Sequence, residues 1–232
     1  MLSKIQVKIL TNILRSEGLR YSKARPKGVE NDLYNYHLQF LVKNKYIKKS
    51  GNKYMLTQKG KRYVQKIDAS GIVKDYFKFS VLPYVVRIKN SRKEILIHRR
   101  KRQPYYDDIG TVSGKVNPGE KIEDAASRKL LEETGLKCNL TFLGVLRQIR
   151  RDKNKDIIED TLYHVCFGEE PTEKLIRKNK FGENFWDSFP NALKYQKNNK
   201  TASNKSAEVL KRIRDNNMDL FYFTEDFIVT KF

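Results

Sequence analysis

Between Gly114 and Leu136 the chain gathers ionic side chains at spacings that suit a cation. Glu120 is followed eight residues later by Arg128, and then by the pair Glu132-Glu133. Asn117-Pro118-Gly119 is a turn sequence, because proline fixes φ and glycine accepts positive φ. Glu120 is expected to open a helix, where its charge meets the positive end of the helix dipole. Ile122, Ala125, Ala126 and Leu130 recur at helical spacing and should face a core. Gly135 is placed to cap the helix C-terminus. Glu120, Arg128 and Glu132 lie off this apolar stripe. Arg128 and Glu132 are i,i+4 neighbours that can pair, and Glu133 can reach the same ion as Glu132. Carboxylates crowded on one face are costly unless a cation sits among them, and hard oxygen ligands select Mg²⁺ or Mn²⁺ over Zn²⁺. Lys129 stands within this cluster. A protonated ammonium has no lone pair to give a metal and repels one.

Gly114, five residues, Glu120, seven residues, then Arg128-Lys129-Leu130-Leu131-Glu132-Glu133-Thr134-Gly135-Leu136 resembles the Nudix box, with Lys129 where that family has a glutamate. The resemblance implies an α/β fold, a Nudix α/β/α sandwich over residues 72–232. It also implies Mg- or Mn-dependent substitution at phosphorus of a nucleoside diphosphate linked to another group. Glu132 and Glu133 match metal-binding glutamates and Glu120 a supporting carboxylate. Arg128 matches the residue that orients them, and Gly114 the glycine whose carbonyl joins the metal shell. Two readings of Lys129 stay open. The site holds fewer metals, with a later carboxylate as base, or Lys129 replaces a metal and holds phosphate itself. The later carboxylate is expected on a loop, with Glu183 the first choice and Glu159 or Asp160 the second. Ser113-Gly114-Lys115-Val116 is closer to isopentenyl-diphosphate-isomerase-like Nudix sequences, which carry His where Lys115 stands. The expected activity is slow hydrolysis; the alternative is a regulator that senses a nucleotide without hydrolysing it.

The elements that must position this cluster are legible as strands over 77–88, 95–98, 140–145 and 161–167, and a C-terminal helix over 203–214. A loop over 101–108 should lie beside the box. Its Tyr105 or Tyr106 would stack on a base, and Arg99, Arg100 or Arg102 would hold phosphate.

The chain has 232 residues and a formal charge of +21. Residues 1–70 hold 16 Lys and Arg against 4 Asp and Glu. Charge this dense and uneven points to a polyanionic partner. Ile5, Ile9 and Ile13 mark a first helix. Asn31 or Asp32 would cap a second, in which Leu33, His37, Phe40 and Leu41 share a face. Ser50-Gly51-Asn52 separates two short strands, and Thr57 caps a last helix. This stretch resembles a winged helix-turn-helix module, assigned to residues 1–68. The resemblance implies duplex nucleic acid as partner. Tyr34, Asn35, Gln39 and Lys43 would then face the groove, with Lys48, Lys49, Lys53 and Arg62 on phosphates. A homodimer is also compatible with the sequence. Cys138 and Cys166 show no zinc spacing. With no leader-like or membrane-spanning run, a reduced cytoplasmic setting is expected and a membrane is not.

Overall fold

The structure is a computed structural model and describes residues 2–14, 16–64, 67, 77–101, 105–198 and 204–229. The chain divides into two compact units, Met1–Asp75 and Tyr76–Phe232. Among the described residues no helix is long and apolar enough to cross a membrane.

In the first unit the order is α1 (Lys4–Leu14), β1 (Leu19–Arg20), α2 (Tyr21–Ala24), α3 (Asn31–Lys43), β2 (Ile47–Ser50), β3 (Lys53–Leu56) and α4 (Gln58–Val64). The three strands form one antiparallel sheet, β1-β3-β2. Ile9, Leu10 and Ile13 of α1 pack with Tyr34, Leu38 and Leu41 of α3 in a core closed by Ile47 and Tyr54. Thr57 caps α4, its hydroxyl accepting a hydrogen bond from the Gly60 N–H at 3.2 Å. Three expectations about α3 are corrected. Its buried stripe is Tyr34, Leu38 and Leu41, while Leu33 and Phe40 are exposed. The Tyr34 hydroxyl donates to the Tyr21 carbonyl at 2.9 Å, so Tyr34 belongs to the core and not to a groove-facing surface. Glu30, not Asn31 or Asp32, precedes the helix and makes no side-chain cap; Asn31 Oδ1 accepts the Tyr21 hydroxyl instead.

The second unit comprises β4 (Phe77–Lys89), β5 (Arg92–Arg100), β6 (Ile109–Gly110), β7 (Gly114–Lys115), α5 (Ile122–Thr134), β8 (Thr141–Arg151), β9 (Ile157–Glu169), β10 (Gly182–Ser188), α6 (Phe189–Asn198), α7 (Asn204–Arg214) and β11 (Phe221–Ile228). The sheet runs β10-β5-β4-β9-β8-β11, with β6 on β5 and β7 on β4. β4 pairs β9 in parallel, as β11 does β8. One face buries Tyr84, Ile97 and Leu146 against α6 and α7. The other buries Val81, Val85 and Leu96 against Ala125, Ala126 and Leu130 of α5.

The sheet is split where the site forms. β4 pairs β5 only over Val86–Lys89 and meets β7 at Ser80 and Val81. Pro83 lies in the interval that is unpaired on the β5 side while it stays in register with Cys166 of β9, so its missing N–H removes no bond between β4 and β5. The Thr111 hydroxyl donates to the Pro83 carbonyl at 2.8 Å and ties the following segment across the gap.

Leu130 is fully buried and carries α5 onto the sheet. Leu130→Ala is expected to destabilise this unit by about 2–5 kcal/mol, the cost of a methylene deletion with a residual cavity. Denaturant unfolding followed by Trp186 fluorescence measures it, because the chain's one tryptophan lies in β10 beside that core.

Candidate functional site

α5 begins at Ile122, later than expected, with Lys121 as its N-cap residue. Glu120 is held in the preceding turn, where its N–H donates to the Asn117 carbonyl at 3.0 Å. Its carboxylate accepts the Asn117 N–H at 2.8 Å and two Arg128 N–H groups at 2.6 and 2.8 Å. The Arg128 guanidinium and the Asn117 N–H hold the Glu120 carboxyl down at about 2. Arg128 also donates to Glu132 at 3.2 Å and to the Lys115 carbonyl at 3.1 Å. One guanidinium therefore fixes the turn, the helix and β7 relative to one another. At the other end, Gly135 caps α5 at φ +77°, with its N–H on the Leu131 carbonyl.

Lys129 does not point into solvent. Its Nζ lies 2.8 Å from Glu132 Oε2 and 3.0 Å from Glu133 Oε1, and the side chain is 12% exposed. Lys129 first, then Arg128, holds the Glu132 carboxyl below the usual range. Glu133 is 1% exposed. Its backbone carbonyl accepts the side-chain amides of Asn179 and Asn184, each at 2.7 Å. Asn184 also donates to the Ile176 carbonyl, so its Oδ1 must be the acceptor toward His98 Nδ1 at 2.7 Å. His98 Nδ1 is thereby the protonated nitrogen. His98 Nε2, 4.0 Å from Glu133 Oε2, has no hydrogen-bond partner among the described residues.

These groups border a cavity of about 520 Å³ in the split between β4 and β5. Lys78, Arg100, Lys115, Arg128, Lys129 and Arg150 line it, against Asp108, Glu133 and Glu159. Among the described residues, six basic groups line it against three acidic ones, and two of the six, Arg128 and Lys129, are also paired with Glu120 and Glu132 beside it. Its far wall is a buried polar chain. Arg150 donates to Glu159 and, at 2.7 Å, to Gln148, which donates to Ser206 at 3.0 Å. Lys78 and Tyr105 add donors to Glu159 at 2.9 and 3.3 Å. Burial opposes ionisation of Glu159, but Arg150 and Lys78 outweigh it and hold its carboxyl below the usual range. Burial likewise opposes the charge on Arg150, and Tyr163 and Glu159 more than restore it. The Tyr105 ring lies 5.1 Å from the Arg150 guanidinium.

Of the residues singled out in the sequence, Gly114, Arg128, Lys129, Glu133, Arg100 and Tyr105 line this cavity. Glu120 and Glu132 do not, although Arg128 holds both. Glu183 is corrected. It lies in β10, not on a loop, opposite Arg99, while the neighbouring Asn184 takes the inward side. Glu183 pairs with Lys178 at 3.5 Å. Tyr106 does not line the cavity; it is 45% exposed, with the Lys101 ammonium 5.5 Å from its ring. Strand alternation explains both Arg99 and Arg100. Arg100 faces the cavity, and Arg99 is held outside it by Asp107 at 2.7 and 2.8 Å. Arg102 lies outside the described residues. Of the second-choice acids, Glu159 lines the cavity and Asp160 pairs with Arg147. His98, Asn184 and Arg150 are not legible as site residues in the sequence. Only the parity of His98 with Leu96, at the end of an apolar strand, hints at its inward position.

The donor set does not fit the Mg²⁺ or Mn²⁺ that the sequence leads one to expect. An ammonium lies where an ion bridging Glu132 and Glu133 would lie, and Glu120 is committed to Arg128. Among the described residues, no three His, Cys, Asp or Glu side chains converge on one point.

In the first unit, Asn35, Gln39 and Lys43 follow one another on α3 at i, i+4, i+8, and Gln39 donates to Asn35 at 3.4 Å. Lys48, Lys49 and Lys53 are exposed on the β2–β3 hairpin.

Known proteins resemble this chain in sequence or in fold. The chain is 37% identical over 86 residues to an isopentenyl-diphosphate Delta-isomerase of Pectobacterium atrosepticum, covering 36% of this chain and 48% of that protein. It is 33% identical over 112 residues to an ADP-ribose pyrophosphatase of Methanocaldococcus jannaschii, covering 47% and 66%. The chain thus spans about half to two thirds of the length of these relatives. The fold is shared with the NUDIX domain of Shewanella oneidensis NrtR, solved with ADP ribose. That likeness has a TM-score of 0.51 and 14% identity, over 69% of this chain and 99% of that one. The NUDIX domain family model matches residues 81–212, more than half of the sequence, and the chain belongs to that family.

Proposed function

We propose that the second unit binds a nucleoside diphosphate linked to another group, and that the first is a winged helix that binds duplex DNA. The chain would then be a nucleotide-responsive DNA-binding protein. The observation that carries the ligand is the excess of cations among the described residues of the cavity, six against three. Lys129, Arg128, Lys115 and Arg100 offer the diphosphate charge-assisted hydrogen bonds. The chain from Arg150 to Ser206 offers donors and acceptors to the rest of the molecule. The names of two similar proteins, one an ADP-ribose pyrophosphatase and the other solved with ADP ribose, support this class of ligand.

A second reading, slow hydrolysis, is favoured by the single Arg128 that orients Glu120 and Glu132 together. Nudix hydrolases generally use divalent metals such as magnesium or manganese. Glu133 is the buried carboxylate on which turnover here would depend. If AMP release from ADP-ribose is detected, Glu133→Gln should lower it by about 100-fold or more, the usual scale for losing an acid–base group. An unchanged rate removes this reading.

Support for the DNA partner is the uneven charge of residues 1–70 and the amide-bearing face of α3 in the same unit as a basic hairpin. Calorimetry with ADP-ribose tests the ligand. Arg100→Ala is expected to weaken binding by roughly 10- to 100-fold, one charge-assisted hydrogen bond, and wild-type protein that binds no diphosphate compound removes the proposal. For DNA, affinity for random duplex should fall steeply with salt. Replacing Lys48, Lys49 and Lys53 by Ala should flatten the log–log slope by about 0.9 for each phosphate that these side chains neutralise. A slope that does not change excludes the hairpin from the interface.

A further inference from the structure

The network around Lys129 goes beyond a general attraction for anions. Its ammonium spans two carboxylates, at 2.8 Å from Glu132 and 3.0 Å from Glu133, and the Phe181 ring centroid is 5.4 Å away. The Lys129 stem crosses Gly114 so closely that a methyl group there would overlap its Cγ, Cδ and Cε atoms. Glycine at 114 therefore leaves the channel through which this side chain reaches the carboxylates. An ammonium that is 12% exposed, walled by Gly114 and Phe181, is not readily displaced by a hydrated ion. The remaining cations of the cavity, Lys78, Arg100, Lys115, Arg128 and Arg150, surround the same space with further positive charge.

We propose that Lys129 is the built-in cation of this site, so that a diphosphate ligand binds without any divalent metal. The inference rests on the reading that a diphosphate occupies this cavity. In the bound state the ammonium neutralises phosphate oxygens from one side while Glu132 and Glu133 hold it from the other. A divalent ion gains nothing there, because its ligands are already engaged and its charge is opposed by Lys129.

The test is calorimetry on the full chain with ADP-ribose, in excess EDTA and in excess magnesium, alongside Mn²⁺ binding followed by electron paramagnetic resonance. Wild type should bind ADP-ribose with the same Kd in both media, within about twofold, and should leave the free Mn²⁺ signal unchanged. Lys129→Glu should lose affinity in EDTA by about 100-fold, recover it with magnesium and take up Mn²⁺. Lys129→Met keeps the stem and removes the charge, and should weaken binding in EDTA even if Lys129→Glu fails to fold. Trp186 fluorescence reports folding in each variant. Wild-type affinity that appears only with magnesium, or Mn²⁺ uptake by wild type, overturns the inference. If ADP-ribose fails to bind in either medium, the ligand reading falls, and the Mn²⁺ comparison of wild type with Lys129→Glu still decides the role of Lys129.

Discussion

A carboxylate with 1% exposure has to be compensated, and Glu133 is such a group. Leaving it ionised and alone in the interior is prohibitively costly. The Lys129 ammonium at 3.0 Å meets that demand from the same helix, one turn earlier. Asn179 and Asn184 fix the Glu133 backbone carbonyl, and His98 stands beside the carboxylate, its tautomer set by Asn184. The Lys129 stem passes over Gly114, where a Cβ would force that stem to shift. The position of β7 in turn is held by Arg128 through the Lys115 carbonyl. One buried charge thus draws together the helix, three strands and a loop.

The cavity follows from a defect in the sheet. Regular pairing of β4 with β5 along their full lengths would leave no room for a ligand. Pairing stops at Val86, and the segment through β6 and β7 fills the opening with backbone and small residues. Side chains from both sheet faces then reach one space: His98 and Arg100 from the α5 side, Lys78 and Arg150 from the side of α7. Apolar packing on the two faces keeps the strands in register while the gap remains open.

The sequence discloses some of this and hides the rest for physical reasons. The apolar stripe of α5, its Gly135 cap and the Arg128–Glu132 pair all depend on local spacing, and all are present. So are the strands with continuous β-forming runs, although β8 and β9 extend through Arg147, Arg150 and Glu159, where charged residues mask the strand pattern. β10 does not read as a strand because Glu183, Asn184 and Asp187 interrupt its apolar residues. Two of those polar groups are satisfied by side chains outside the strand, Asn184 by His98 and Asp187 by Tyr195. α3 shows the opposite failure. Helical spacing alone allows two adjacent stripes, and only packing against α1 selects Tyr34 over Leu33. The destination of Lys129, ligand or carboxylates, is equally open to local spacing, since it depends on Gly114 and Phe181.

Exchanging a divalent ion for a tethered ammonium separates recognition from chemistry. Both neutralise phosphate charge, so on the proposed reading binding would survive the exchange. They differ in what they do to water. A divalent ion lowers the pKa of a bound water by several units and delivers hydroxide to phosphorus. An ammonium has no vacant orbital with which to do so, and it can only donate hydrogen bonds. If a diphosphate is the ligand, as proposed, Lys129 between Glu132 and Glu133 would favour holding it over cleaving it. A ligand that persists is what a responsive domain needs, because occupancy can follow concentration only if the domain does not consume what it measures.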